Sequence, residues 1–173
     1  MDSDRLSHEE LGDPEVIATL RGWWTDSVLR ADGSVDRRAV AEKVFDDPEQ
    51  LARLQDLLYP RIARRREELM AMHAADASVR AVVLDSPKLQ EAGLDELCDA
   101  VVFIDADLET RSRRLAATRG WSAAELERRE KLLEPLDRKR SRADHVVKNN
   151  SKIDDLRSEI ERVFSAVLAS FSQ

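Results

Sequence analysis

Eleven arginines and lysines stand between Leu108 and Arg142 against six acidic residues, a local charge of +5 in a chain whose remainder carries −12. Guanidinium groups are permanently charged and grip phosphate through two parallel hydrogen bonds. Holding charge on a transferring phosphoryl group is their recurrent catalytic task. Arg111 and Arg114 lie three apart, so on a helix they share a face. Surface salt bridging with Glu109, Glu125, Glu127 and Glu130 is the alternative employment. Asp2 and Asp4 flank Ser3, and on an extended chain both would point to one side. A carboxylate beside a bound hydroxyl can orient it and accept its proton; the other reading is an exposed acidic terminus. His8, His73 and His145 lack the spacing of metal ligands, so no metal site is expected. The five glycines are scattered, and no G-x-x-x-x-G-K-S/T occurs in the 173 residues.

These groups need elements to position them. Ala100 to Ile104 is a short apolar run of the kind found in strands covered on both faces. Asp107 is placed to cap a helix opening at Leu108. His145 to Val147 is a second short strand, followed by Lys148-Asn149-Asn150-Ser151. Val79 to Leu84 is the first clear strand, with Asp85-Ser86-Pro87 at its carboxyl end. The three are expected to be neighbouring and parallel. Ligands of such sheets bind outside the carboxyl ends of the strands.

The other segments read as helices. Asp13-Pro14 opens one, with Val16, Ile17 and Leu20 on its apolar face and Trp23-Trp24 closing it by packing. Asp36 caps a second carrying Val40, Val44 and Phe45. Asp47-Pro48 opens a long third, which Pro60 is expected to kink or divide. Ser122 to Glu125 is a capping box, and the last helix starts at Ser151 to Asp154.

The length fits one domain with a helical insertion. A net charge of −7 argues against a nucleic-acid or anionic-membrane binder. The cationic segment suits a small polyanion instead. Cys98 is the only cysteine, and no apolar run approaches the ~18 residues of a membrane span. A reducing, cytoplasmic setting is expected.

Taken together, the motifs resemble the dephospho-coenzyme A kinase family. Asp2-Ser3-Asp4-Arg5-Leu6-Ser7-His8 is similar to its D-A-D-x-x-x-H segment. Asp32 to Arg37 and Val44 to Pro48 continue the likeness, and Tyr59-Pro60-Arg61-Ile62 resembles His-Pro-x-Ile. Asp85 to Glu91 resembles D-x-P-L-L-x-E, and Pro135 to Lys139, Ala143 to Val147 and Asn149-Asn150 complete the set. The resemblance implies an α/β, P-loop-kinase-like parallel sheet flanked by helices. Residues 1–13, 78–107 and 143–173 would form the core, 14–77 a helical coenzyme-A-side insertion and 108–142 a helical lid.

The implied reaction moves the ATP γ-phosphoryl, with Mg2+, to the ribose 3′-hydroxyl of dephospho-coenzyme A. By the same resemblance Asp4 and Arg114 are catalytic, as base and as lid arginine. Asp2, Arg37, Pro87 and Glu91 serve the substrate. Arg111, Arg119, Asn149 and Asn150 serve the nucleotide.

Three departures stand out. The family's first strand, P-loop and following helix do not occur in the sequence, Tyr59 replaces a histidine, and Lys88 replaces a leucine. The chain by itself is therefore expected to turn over negligibly, since losing one preorganised donor already costs ~10²–10³ in rate. The readings are a kinase written without about 30 N-terminal residues, judged by the usual P-loop unit, or a shortened member that binds without catalysis or is completed by another chain. A bare strand edge would also favour pairing between chains, a homo-oligomer.

Overall fold

Aspartate at the cap with proline or a good helix former behind it recurs along the first half of the chain, and each instance starts a helix. The computed structural model describes residues 1–171 and divides into two units, Met1–Ser86 and Pro87–Gln173. In the first unit, α1 spans Ser3–Leu11, α2 Pro14–Trp24, α3 Arg37–Val44 and α4 Pro48–Ala74. Asp13, Asp36 and Asp47 each accept two backbone amides of the first turn, satisfying donors that the helix itself leaves unpaired.

Val16, Leu20, Val28, Val35, Val40 and Leu58 form the core of this unit. Trp23 and Trp24 meet edge to face at 5.6 Å and pack on that core. The Trp24 indole donates to Gln50 Oε1 at 3.1 Å, so the pair serves packing. The α4 helix runs unbroken through Pro60. Leu54, Leu57, Leu58 and Ile62 anchor both sides of the proline on one core, which outweighs the single backbone bond lost there. Arg61 ties α4 to the first two helices through Glu15, Asp13 at 3.3 Å and Glu10 at 3.9 Å.

Two further expectations fail in this unit. The extended geometry that would put Asp2 and Asp4 on one side is not adopted, because Asp2 caps a helix over Ser3–Leu11 whose inner face buries Leu6. Val79 to Leu84 forms no regular strand. Its end is held by the Met1 amino group donating to the Val83 carbonyl and by a parallel bridge of Asp2 with the adjoining Asp85, in which Ser3 N donates to Asp85 O at 2.9 Å and Asp85 N to Met1 O at 2.8 Å. An apolar run becomes a strand only where neighbours satisfy its backbone groups over its length, and Val82 and Val83 here remain exposed.

In the second unit, β1 (Val102–Asp105) and β2 (His145–Lys148) pair in parallel, with Val102 opposite His145 and Asp105 opposite Lys148. Between them run α5 (Leu108–Arg119), α6 (Ala123–Glu130) and α7 (Leu136–Ser141), and α8 (Ile153–Ser170) follows β2. Gly120 ends α5 at φ +66°, a left-handed conformation that glycine adopts without a Cβ penalty. Val147 and Val163 are buried where α8 packs on β2. The α/β class read from the sequence holds. The expected cover on both faces of β1 does not, since Val102 and Ile104 are exposed on one of them. Among the described residues, no helix is long and apolar enough to cross a membrane.

Candidate functional site

In the first unit the candidate groups gather on α1 and the start of α3. Asp2 Oδ1 accepts the Arg5 amide at 3.0 Å as the helix cap. Asp4 stands exposed in the first turn, and among the described residues no hydrogen-bond or ion-pair partner holds its carboxylate. His8 follows one turn later on the same face. Its Nδ1 lies 3.3 Å from Arg37 Nη1. A guanidinium only donates, so the contact is a hydrogen bond in the tautomer whose Nδ1 accepts. The structure thus brings Arg37 to the face that carries Asp4. His8 lacks metal-ligand spacing and closes the segment that resembles D-A-D-x-x-x-H, but neither pattern assigns it a role. Its place four residues after Asp4 was the usable signal.

In the second unit Pro87 and Glu91 meet at Lys139. The Lys139 ammonium donates to the Pro87 carbonyl at 2.6 Å and lies 2.7 Å from Glu91 Oε1. The Glu134 amide also donates to Glu91, at 2.9 Å. Burial pushes the Glu91 carboxyl up, but the Lys139 hydrogen bond and the Glu134 amide outweigh it and hold the group below its ordinary value. Glu91 is therefore ionised and already engaged, a partnership across 48 positions that no local pattern announces.

Arg111, Arg114, Asn149 and Asn150 converge at the carboxyl ends of β1 and β2. Asn149 N donates to Asp105 O at 2.7 Å, extending the ladder beyond the strands. Arg114 Nη1 donates to Asn149 O at 2.8 Å, and Asn150 Oδ1 accepts the Asp107 amide at 2.9 Å. Asp107 in turn caps α5, and the Thr110 amide lowers its carboxyl from the ordinary value. Arg111 donates to the Ala106 carbonyl and pairs with Glu130 at 2.9 Å. Arg119 is not part of this gathering. Its guanidinium lies 5.2 Å from the centre of the Trp121 ring, which Arg129 also covers at 4.2 Å.

A cleft of about 260 Å³ opens at the end of β1, lined by Asp105, Asp107, Asp137, Arg111 and Arg140 among others. A larger one of about 460 Å³ in the first unit, beside Arg21, Asp26 and Arg30, holds none of the candidate residues. Among the described residues, no group of three His, Cys, Asp or Glu could hold a metal ion.

The family model for dephospho-CoA kinase (CoaE) matches residues 1–155. The dephospho-CoA kinase of Corynebacterium glutamicum is 34% identical over 171 residues, covering 98% of this chain and 84% of its own. That of Rhodopirellula baltica is 34% identical over 176 residues, covering 98% and 80%. A crystal structure of TT1252 from Thermus thermophilus superposes with a TM-score of 0.77 at 30% identity, over 100% of this chain and 84% of that one. Dephospho-CoA kinase from Campylobacter jejuni, at 20% identity over 96% and 83% of the two chains, shares the fold with a TM-score of 0.56.

Proposed function

The chain belongs to the dephospho-CoA kinase family of phosphotransferases, and on that premise we propose how its own residues divide the work. The observation that carries the reading is the anchoring of Arg114 at the carboxyl end of the parallel strand pair. One of its five N–H donors is spent on Asn149 O, which leaves the fork able to take a phosphoryl oxygen pair. In this reading ATP is the phosphoryl donor and dephospho-coenzyme A the acceptor. Asp4 takes the proton of the ribose 3′-hydroxyl as that oxygen bonds to the γ-phosphorus. The bond from the γ-phosphorus to the leaving ADP oxygen breaks, and Arg114 holds the equatorial oxygens between.

Arg37 and Asp2 serve the acceptor from the α1 side, and Pro87 and Glu91 shape the segment that follows residue 85. Arg111, Asn149 and Asn150 serve the nucleotide, with Arg119 further along α5. Residues 14–77 serve as the coenzyme-A-side insertion and 108–142 as the lid. Magnesium would arrive on the nucleotide phosphates, as it commonly does while keeping most of its water. No step above passes through it.

Calorimetric titration tests the acceptor side without needing turnover. Dephospho-coenzyme A should bind the 173-residue chain saturably, and coenzyme A at least about tenfold more weakly. Like charges ~4 Å apart near a protein surface cost on the order of 4 kcal/mol, and the 3′-phosphate would meet the Asp4 carboxylate. Asp4→Asn should remove the preference. No binding of dephospho-coenzyme A, or equal affinity for the two in the parent chain, overturns the assignment.

A further inference from the structure

The segment after β2 clasps α5 at two separate points. The first is at the cap: the Asp107 amide donates to Asn150 Oδ1 at 2.9 Å, while the Asp107 carboxylate receives the Thr110 amide at 2.7 Å. The second is two turns on, where Arg114 donates to the Asn149 carbonyl at 2.8 Å. The clasp is itself fixed to the sheet, because Asn149 N continues the ladder to Asp105 O at 2.7 Å. A helix cap sets the direction in which the helix leaves the chain before it. Arg114 stands seven residues beyond Asp107, about 10 Å along the axis at 1.5 Å per residue, so a tilt of about 10° at the cap moves it by roughly 2 Å. Misplacing a catalytic group by about 1 Å can cost ~10²-fold in rate.

We propose that Asn150 is the positioning residue for Arg114. Its side-chain oxygen fixes the Asp107 amide and so the angle at which α5 presents the arginine. This rests on the reading of Arg114 as the group that holds the transferring phosphoryl. It adds a mechanical role to the nucleotide role given to Asn150 above, since its two amide hydrogens remain for a ligand. Among the variants, Asn150→Ala removes the acceptor, whereas Asn150→Asp keeps an oxygen in the same place.

The experiment compares these two with the parent chain by amide hydrogen exchange, by nitrogen NMR of the Arg114 guanidinium, and by kinetics. The kinetics use a fusion carrying a P-loop strand–loop–helix unit ahead of Met1. Asn150→Ala should speed exchange at Asp107 by ~10-fold or more and release the restricted rotation of the Arg114 guanidinium. The Val147 amide, inside β2, should stay protected. Turnover of the fusion at saturating ATP should fall ~10²-fold, beyond any rise in KM for ATP, with KM for dephospho-coenzyme A nearly unchanged. Asn150→Asp should restore all three.

A loss confined to KM for ATP would make Asn150 a nucleotide contact alone and overturn the proposal. Equal loosening at Val147, or no rescue by aspartate, would reduce it to a general structural role and overturn it too. Parent-like exchange at Asp107 and an unchanged Arg114 signal overturn it whatever the turnover. A silent Arg114→Ala would instead strike the phosphoryl-holding reading, and the exchange result at Asp107 would still stand.

Discussion

Arg114→Ala, made in the P-loop-bearing fusion, is expected to lower turnover by ~10³–10⁵, the range that arginines achieve when they stabilise a transferring phosphoryl group. Affinity for both substrates should change little, because the interaction strengthens as charge develops in the transition state. Arg114→Lys should rescue poorly. A point charge on a flexible stem can neither keep the bond to the Asn149 carbonyl and grip two phosphoryl oxygens together nor match their planar spacing. Arg113→Ala is the control, since Arg113 points about 100° away on α5 by helical geometry and is exposed. Stability should fall only by the ~0.5–1.5 kcal/mol of one hydrogen bond, which thermal unfolding reads separately. Equal losses at 113 and 114 would reduce the arginines to a general cationic surface.

Asp4→Asn should cost ~10²–10⁴ in turnover, the usual worth of a positioned general base, while leaving the fold intact. The carboxylate is exposed in the first turn of α1, where its interaction with the helix dipole is worth only ~0.3–1 kcal/mol. Asp2→Ala should behave in the opposite way. Asp2 caps α1 through the Arg5 amide, and losing such a cap costs ~0.5–2 kcal/mol of stability with a smaller effect on the chemistry. Steady-state kinetics and unfolding midpoints on the same two proteins separate the roles. A turnover loss at Asp2 as large as at Asp4 would mean that the pair acts as a unit.

That contrast also shows what the sequence made legible. Asp13, Asp36, Asp47 and Asp107 were readable as caps because capping is decided within one turn of chain, by an acceptor set before a run of helix formers. The parallel pairing of 102–105 with 145–148 was readable from two apolar runs separated by helical patterns. Asp2 was misread because alternation suggested an extended segment, whereas a capping aspartate with Leu6 to bury favours a helix. Residues 79–84 were misread because composition describes what a strand prefers and not whether backbone partners reach it.

At the site, Arg111 and Arg114 were legible from their shared helix face, and both reach the sheet end, at Ala106 and Asn149. The engagement of Glu91 by Lys139 and of Asp107 by Asn150 was not. Both contacts join residues more than forty positions apart, and they exist only once the fold has formed.

The most direct measurement is phosphorus NMR of the products formed from ATP and dephospho-coenzyme A, with the chain alone and with the P-loop-bearing fusion. The fusion should yield ADP and coenzyme A in equal amounts, with the new phosphate on the ribose 3′-oxygen and turnover of ~1–100 s⁻¹. The 173-residue chain on its own, which contains no G-x-x-x-x-G-K-S/T, should be slower by at least ~10²–10³. ADP released without coenzyme A, phosphate on any other oxygen, or equal rates with and without the P-loop unit would contradict the proposed function.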